Sequence, residues 1–460
     1  MGRFVQIVTV VVLILFLLPG RQVNAAPRVQ NIRSEEKVVI VIDPGHGGEN
    51  LGTTENNHTE KFMTMTTALA MYEELLLYDN VEVHLTHTDD QDVSLKKRAE
   101  FAASVDADFL FSIHYNASEN HEMFGAEVWV SAFPPYNGYG YQFGCEILTD
   151  IRETGLLLRG VKTRFNSKGE DYYGIIRESV DLGVPAVIIE HCHVDEERDA
   201  VYCDSDEKLK LFGKMDATAV ARYFGLKSSI LDVDYSQYPL SEASGKTAVK
   251  QTLNDTSAPD ICRIELLSVE ESMEDKSGSV TLHITAADAD SALVYYSYSL
   301  DGGKTFSARE PWPGSDALTG EYQGSFTLPL PVLPDRKTEV IVRAYNQYDL
   351  YTESNVCVAA EEPGLAAEEP GLADADVSED LSMGNLDTEP SVSGSNNSVE
   401  ENIPAGGASK DAEGNGMDYV EVLALCLGLA SFLLIVLTIV QGITYHNRRK
   451  RRLHKSEFSD

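Results

Sequence analysis

The chain has 460 residues, enough for two or three domains, and its hydrophobic fraction of 43% is typical of a globular protein. The formal net charge of −36 gives an acidic surface that repels phosphate backbones, so a nucleic-acid-binding protein is not expected. Six cysteines without a CxxC pair argue against a disulfide scaffold and against a thiolate zinc finger.

The N-terminus has the pattern of a secretory signal. Arg3 precedes an apolar run over residues 5–18, and small or medium residues occupy positions 23–25. We therefore predict a signal peptide over residues 1–25 that is removed after Ala25. The alternative, a buried strand or helix, fits less well because the run lies at the extreme terminus behind a positive charge.

Residues 36–226 alternate segments typical of strands with segments typical of helices. Strands are predicted at 38–42, 81–85, 109–113, 126–130, 173–177 and 186–189. Helices are predicted at 59–77, 94–103, 142–158 and 208–223. In the second helix Lys96, Lys97, Arg98 and Glu100 are expected to face water. Such alternation predicts an α/β domain with a mixed, largely parallel sheet.

Residues 227–258 are polar and aperiodic and are interpreted as a linker. Residues 259–358 then carry short alternating strands at 280–284, 294–300 and 339–345, with a turn at 301–303, which predicts an all-β immunoglobulin- or fibronectin-like sandwich. This domain lacks a cluster of His, Asp and Glu, so it is expected to be a spacer or wall-contact module. Cys262 and Cys357 flank it and are candidates for a disulfide.

The C-terminal part is predicted to tether the folded domains to a membrane. Residues 359–418 are acidic, rich in Gly, Ser and Pro and poor in aromatic residues, which predicts a disordered tether. Residues 422–443 form a nearly unbroken apolar run, long enough for one transmembrane helix. Arginine and lysine fill positions 448–452, so residues 444–460 are expected to be a basic cytoplasmic tail, with the folded domains outside the cell.

Four polar residues lie where an α/β fold gathers functional groups, at the carboxyl ends of strands. His46 follows the first predicted strand in the sequence DPGHGG at 43–48, and Glu60 begins the next helix. His114 and Glu190 each end a later strand. Two imidazoles and one carboxylate form a typical catalytic zinc shell, and the other carboxylate is then free to act as a general base. Taken singly, each of the four residues also has an ordinary structural explanation.

The order of these segments resembles the zinc-dependent N-acetylmuramoyl-L-alanine amidases that cleave bacterial cell walls. The resemblance is carried by DPGHGG at 43–48, an EK pair at 60–61, a basic helix at 94–98, SIHYNA at 112–117 and PAVIIE at 185–190. It covers roughly the first domain. It implies that His46, Glu60 and His114 bind Zn²⁺ and that Glu190 is the catalytic glutamate. The implied substrate is the bond between N-acetylmuramic acid and L-alanine in peptidoglycan.

Two segments depart from the family pattern. The sequence LTH stands at 85–87 where the family often has arginine, and HCH at 191–193 replaces a small or apolar stretch. His191 and His193 are therefore considered as further metal ligands, although strand alternation turns His191 away from Glu190. Arg177, at the end of a predicted strand, is a candidate contact for a substrate carboxylate or carbonyl.

The sequence thus favours a zinc hydrolase held at a bacterial cell membrane by one helix. Two other functions stay open. One is a zinc hydrolase that cuts a different amide, and the other is a catalytically inactive protein that binds or regulates the wall.

Overall fold

The computed structural model describes residues 37–56, 58–240, 254–271, 278–318, 322–332 and 337–360, all within one compact unit. The predicted signal peptide (1–25), the membrane helix (422–443), the tail (444–460) and nearly all of the tether (359–418) lie outside these residues. In the ranges that are described, no helix has both the length and the apolar character needed to cross a membrane.

The first domain is built on a six-stranded sheet. Its strands are Val38–Pro44 (β1), Val81–Leu85 (β2), Phe109–Asn116 (β3), Ala126–Val130 (β4), Leu158–Lys162 (β5) and Ala186–His193 (β6). They are ordered β2-β1-β3-β6-β4-β5. The first four strands in this order are parallel, whereas β4 runs antiparallel to β6 and parallel to β5. The predicted mixed, largely parallel sheet is confirmed.

Helices cover both faces of this sheet and enclose a continuous apolar core. They are Glu60–Leu75 (α1), Leu95–Ser104 (α2), Tyr136–Arg152 (α3), Gly174–Asp181 (α4), Glu197–Ala200 (α5) and Asp206–Phe224 (α6). Phe109, Phe111 and Phe143 are fully buried at the centre, with ring centroids of neighbouring pairs 4.5 Å apart. Each such side chain contributes about 1.5–3 kcal/mol on burial. This packing fixes the strands whose ends carry the polar residues.

Two predicted elements of the domain are wrong. Residues 173–177 begin helix α4 instead of forming a strand, because Ile175, Ile176 and Ser179 are buried with helical spacing. The helix predicted at 142–158 lies at Tyr136–Arg152, and its last predicted residue instead begins strand β5. The sequence of β5, LRGVK, contains two buried charged residues. Because hydrophobic periodicity treats charged residues as exposed, it does not predict this core strand.

The first half of the predicted linker is ordered against the first domain. Lys227–Ser228 (β7) and Val233–Asp234 (β8) form a two-stranded antiparallel sheet. Leu231, Val233 and Tyr235 pack on the apolar core, and the ring of Tyr235 stacks on that of Tyr78 at 6.4 Å. Residues 241–253 of the same segment are not among those described.

The second domain is all-β, with two antiparallel sheets. One sheet contains Ile261–Glu271 (β9), Gly278–Ala287 (β10) and Gln323–Val332 (β13). The other contains Leu293–Ser299 (β11), Glu310–Pro311 (β12), Thr338–Asn346 (β14), Tyr351–Glu353 (β15) and Cys357–Ala360 (β16). Alternate residues of β10 and β14 are fully buried in the same core, including Leu282 and Val342. The strand alternation therefore predicted the architecture correctly.

The predicted disulfide between Cys262 and Cys357 is wrong, since both cysteines are free thiols. Cys262 lies on β9 and donates to the carbonyl of Val342 at 3.5 Å. Cys357 lies on β16, opposite Val340 of β14. The Cys262 thiol therefore bonds across to the other sheet, and both cysteines lie at the apolar core of the domain.

Candidate active site

Three of the predicted residues converge at one edge of the first sheet. One ligand atom from each of His46, Glu60 and His114 lies within 4.8 Å of the other two. Glu60 Oε2 is 3.0 Å from His46 Nε2, and Glu60 Oε1 is 3.0 Å from His114 Nδ1. Burial alone would raise the pKa of Glu60, but hydrogen bonds from His114 and His46 bring that pKa below its ordinary value. The carboxylate is therefore ionised between two imidazoles.

The backbone around this cluster is shaped to bring the three side chains together. His46 has a φ of 66°, in the left-handed region that side chains other than glycine seldom adopt. A Cβ on Gly45 would lie 2.3 Å from the ring of His114, and one on Gly52 would lie 2.5 Å from Glu60 Oε2. Only glycine leaves room at these two positions, so Gly45 of the motif DPGHGG and Gly52 beyond it allow the close approach that the cluster requires.

Glu60 is the centre of the cluster and is 4% exposed. Besides the two imidazoles, its Oε1 accepts from the amide of Tyr115 at 3.1 Å and its Oε2 from the amide of Thr53 at 2.9 Å. Fixed ligand atoms lose little freedom on binding an ion, so the carboxylate is preorganised.

The chemistry of the donors fits a divalent metal. Two imidazole nitrogens and one carboxylate oxygen suit zinc, and the side chains of His46 and His114 stay 20% and 18% exposed, which leaves one side of the cluster open. Within the described ranges, no other group of three or more His, Cys, Asp or Glu side chains converges in this way. The three residues are therefore a candidate metal centre with an open coordination position.

Glu190 lies beside this cluster on the adjacent strand. In the β3–β6 pairing it stands opposite His114. Its Oε2 is buried and has no hydrogen-bond partner among the described residues. Burial, followed by the charges of Glu60 and Glu127, raises the pKa of Glu190 well above its ordinary value. A carboxyl group with a free oxygen and a raised pKa next to a metal centre is suited to proton transfer.

Arg98 was expected to face water, and this prediction is wrong because the residue is only 3% exposed. Its guanidinium donates to Asp43 Oδ1 at 2.7 Å, to the carbonyl of Pro44 at 2.5 Å and to the carbonyl of His46 at 2.6 Å. Asp43 is itself 1% exposed. The arginine thus neutralises a buried carboxylate and holds the backbone of the loop that carries His46.

We expect Arg98→Met to lower the free energy of unfolding by about 3–5 kcal/mol, because it leaves the carboxylate of Asp43 buried without its cation. Metal affinity should fall as well, since the carbonyl of His46 loses its donor. Urea unfolding with and without added zinc measures both effects. Lys97→Met on the exposed side of the same helix is the matched control and should leave both quantities unchanged. Equal behaviour of the two variants would contradict the structural role of Arg98.

The other candidate side chains lie outside the metal cluster. Both nitrogens of His191 are engaged, Nδ1 with the carbonyl of His114 at 3.2 Å and Nε2 with Asp216 at 3.1 Å. His193 is buried, its Nδ1 is 3.1 Å from the carbonyl of Gly125, and burial lowers its pKa to about 4. These two histidines support the backbone.

Arg177 does not end a strand, as was predicted, but belongs to helix α4. Its Nη1 donates to the carbonyls of Asp171 and Tyr172, at 2.6 and 3.1 Å. The guanidinium therefore braces the segment that leads into the helix.

Sequence reasoning missed Glu127, which lies opposite Glu190 in the β4–β6 pairing. Its carboxylate is 2% exposed and is contacted at 2.6 Å by both Arg159 and Lys162. One sequence feature could have revealed it. Charged residues occur inside two short segments that otherwise have the pattern of core strands, AEVWV at 126–130 and LRGVK at 158–162. Because β4 runs antiparallel, its beginning, and not its end, lies at the site.

Comparisons with known proteins cover the domain that carries this site. Residues 40–222 match the family model described as N-acetylmuramoyl-L-alanine amidase. The chain is 34% identical to N-acetylmuramoyl-L-alanine amidase CwlM of Bacillus licheniformis, over 42% of this chain and 71% of that protein. It is 31% identical to the sporulation-specific N-acetylmuramoyl-L-alanine amidase of Bacillus subtilis, over 42% and 70%. Cwp6 from Clostridium difficile, a solved structure, is 30% identical over 41% of this chain and 29% of that one, with a TM-score of 0.38.

Proposed function

The chain belongs to the N-acetylmuramoyl-L-alanine amidase family, and from this premise we propose that it is a zinc-dependent enzyme of the bacterial surface. Its proposed reaction is hydrolysis of the amide bond that joins the lactyl group of N-acetylmuramic acid to L-alanine in peptidoglycan. The observation that supports this best is the convergence of His46, Glu60 and His114 within 4.8 Å, beside the partner-free carboxyl oxygen of Glu190.

Zinc is the proposed ion, held by His46, Glu60 and His114. When bound, it supplies the Lewis acidity that polarises the scissile carbonyl and acidifies the attacking water. Glu190 accepts the proton of that water at Oε2, the oxygen that has no hydrogen-bond partner among the described residues, and delivers it to the leaving amine of L-alanine. Glu60 keeps its charge, because its pKa is lowered, and so it does not compete for this proton.

The test is digestion of purified peptidoglycan by the zinc-loaded protein, followed by mass spectrometry of the products. The proposal requires peptides that begin with a free L-alanine amine and glycan strands with an unsubstituted lactyl carboxyl group. Cleavage between amino acids of the stem peptide would instead indicate a hydrolase of another amide. Binding to peptidoglycan without any product, by protein with a full complement of zinc, would indicate an inactive wall-binding protein.

We further propose that one helix at residues 422–443 anchors the enzyme in the membrane, with residues 444–460 in the cytoplasm. The apolar run and the basic positions 448–452 support this orientation. Mild protease treatment of intact, wall-stripped cells is expected to release a soluble fragment that contains both folded domains, because the acidic composition of residues 361–418 predicts an accessible cleavage region. Immunoblotting of supernatant and pellet measures the release. A protected fragment of folded domains after cleavage of the tail would contradict the orientation.

A further inference from the structure

Two basic side chains of β5 are buried where the catalytic domain meets the β-sandwich. Arg159 is 2% exposed and Lys162 is 1% exposed. Arg159 donates to Asp349 Oδ2 at 2.6 Å and to the hydroxyl of Tyr295 at 2.7 Å. Lys162 donates to the carbonyl of Gln347 at 2.9 Å. All three acceptors belong to the sandwich, so the cations of the catalytic domain are satisfied across the domain boundary.

The same two cations hold Glu127 on the catalytic side. Glu127 Oε2 accepts from Arg159 Nε and from Lys162 Nζ, each at 2.6 Å. Its Oε1 accepts from Trp129 Nε1 at 3.0 Å and from Asn116 Nδ2 at 2.9 Å. Four donors therefore fix both oxygens of one buried carboxylate. Glu127, Arg159, Lys162, Tyr295 and Asp349 are called the bridging network below.

Charge balance within the network depends on the sandwich. Arg159 and Lys162 carry two positive charges, and Glu127 supplies only one negative charge. Asp349 supplies another from across the boundary, and it shares that charge with Arg309 of the sandwich, which donates to Asp349 Oδ1 at 2.9 Å. Burial would lower the pKa of Arg159, but the charge of Asp349 is the strongest of several influences that raise it. Without Asp349, one buried cation would have no full counter-charge, which is costly in a protein interior.

The network reaches the proposed general base through the sheet. Glu127 stands opposite Glu190 in the β4–β6 ladder, and its partner Asn116 lies on β3, two residues beyond His114. The position of Glu127 therefore influences both strands that flank the site. A displacement of about 1 Å at a reacting group can cost on the order of 10²-fold in rate.

We propose that Asp349 of the β-sandwich is a positioning residue for Glu190 and acts through Arg159 and Glu127. The sandwich is then a structural part of the catalytic unit, in contrast to the spacer role predicted from its sequence. This inference rests on the proposed function for its kinetic consequence, while its structural consequence can be measured without any activity.

The experiment compares Asp349→Asn with Asp316→Asn in the full-length, zinc-loaded protein. Asp316 also crosses the boundary, but it pairs with Arg152 at 3.0 Å, a half-exposed residue of α3. With a soluble muropeptide as substrate, Asp349→Asn is expected to lower kcat by about 10-fold to 100-fold with little change in KM. Metal content and the folded fraction at the assay temperature should stay at the wild-type level. Asp316→Asn should match the wild type in all four quantities.

Amide hydrogen exchange provides the readout that does not depend on activity. Asp349→Asn is expected to speed exchange along β4 and β6, and Asp316→Asn is expected to leave it unchanged. If the wild-type protein hydrolyses no muropeptide, the proposed function fails, and the exchange data still decide whether the sandwich controls these strands. Unchanged exchange in Asp349→Asn would overturn the inference.

Two kinetic outcomes would also overturn it. One is a wild-type kcat for Asp349→Asn, and the other is a loss of kcat that follows loss of metal or loss of folded protein. If Asp349→Asn does not fold, Tyr295→Phe takes its place, because it removes a hydroxyl acceptor of Arg159 without changing any charge. A lower kcat at unchanged KM then supports the positioning role, and an unchanged kcat rejects it.

Discussion

Glu190→Gln is expected to lower turnover of muropeptides by about 10²–10⁴-fold, the usual cost of removing a general base, while the zinc content stays at one ion per chain. Glutamine has the size of glutamate but cannot accept the proton of the attacking water. Glu190 stands beside the cluster of His46, Glu60 and His114 and is not a member of it, so the metal should be retained. Rate and metal content must be measured on the same purified protein.

The stability of this variant gives a second, independent expectation. The charges of Glu60 and Glu127 both act against ionisation of Glu190. A neutral amide at this position removes that repulsion, so the thermal midpoint should be equal to that of the wild type or higher. Glu119→Gln, on the exposed loop after β3, is the control for the substitution itself. A Glu190→Gln protein with normal zinc and a near-normal rate would eliminate Glu190 as the base, and loss of zinc would identify it as a ligand.

His114→Ala should weaken zinc binding by more than the roughly 10–100-fold that the loss of an outer-sphere partner costs, and turnover should fall to background. The imidazole is one of the three proposed ligands, and Glu60 Oε1 also loses its contact at 3.0 Å. Competition with a chromophoric chelator measures the affinity. Addition of zinc at concentrations above the raised dissociation constant should restore part of the metal content. It should restore little of the rate, because one of the three proposed ligands is missing.

The control for this substitution is His84→Ala on β2, at the edge of the sheet. The imidazole of His84 pairs with Glu82 at 2.8 Å and is 28% exposed, so its loss removes a histidine without touching the cluster. Wild-type metal affinity in His114→Ala would show that another group completes the shell. His191 would then be re-examined, since its Nδ1 lies 3.2 Å from the carbonyl of His114.

The sequence could predict that the candidate residues lie close together, because three of them are tied to parallel strands. His46 follows β1, and His114 and Glu190 follow the apolar runs of β3 and β6, although these strands continue to Asn116 and His193. Because β1, β3 and β6 are parallel, the three residues lie near the same edge of the sheet. Glu60 begins the next helix, and the glycines of residues 45–52 allow it to approach. At each of these positions the neighbouring residues in the sequence predict the local structure that the fold contains. The proximity of the residues could therefore be inferred without knowledge of long-range contacts.

Other parts of the site depend on contacts between segments far apart in the chain. Arg98 belongs to an amphipathic helix with charged neighbours, and nothing in its local pattern distinguishes it from Lys97. Arg98 is buried because it pairs with the buried carboxylate of Asp43, which lies 55 residues away in sequence. Strand β5 was missed for the same reason, since Arg159 acquires its partners from a different domain, 136 and 190 residues further along the chain. Hydrophobic periodicity carries no information about such pairs.

The bridging network also limits how the catalytic domain can be separated from the β-sandwich, by recombination in evolution or by protein engineering. A catalytic domain cut after residue 240 and fused to an unrelated module would carry two buried cations to a new surface that lacks Asp349, Tyr295 and the carbonyl of Gln347. Recombination at that boundary is therefore penalised unless the incoming module supplies an equivalent acid. We therefore expect changes at Arg159 and Asp349 to occur together in proteins that descend from this chain. The two domains should likewise be transferred as one unit.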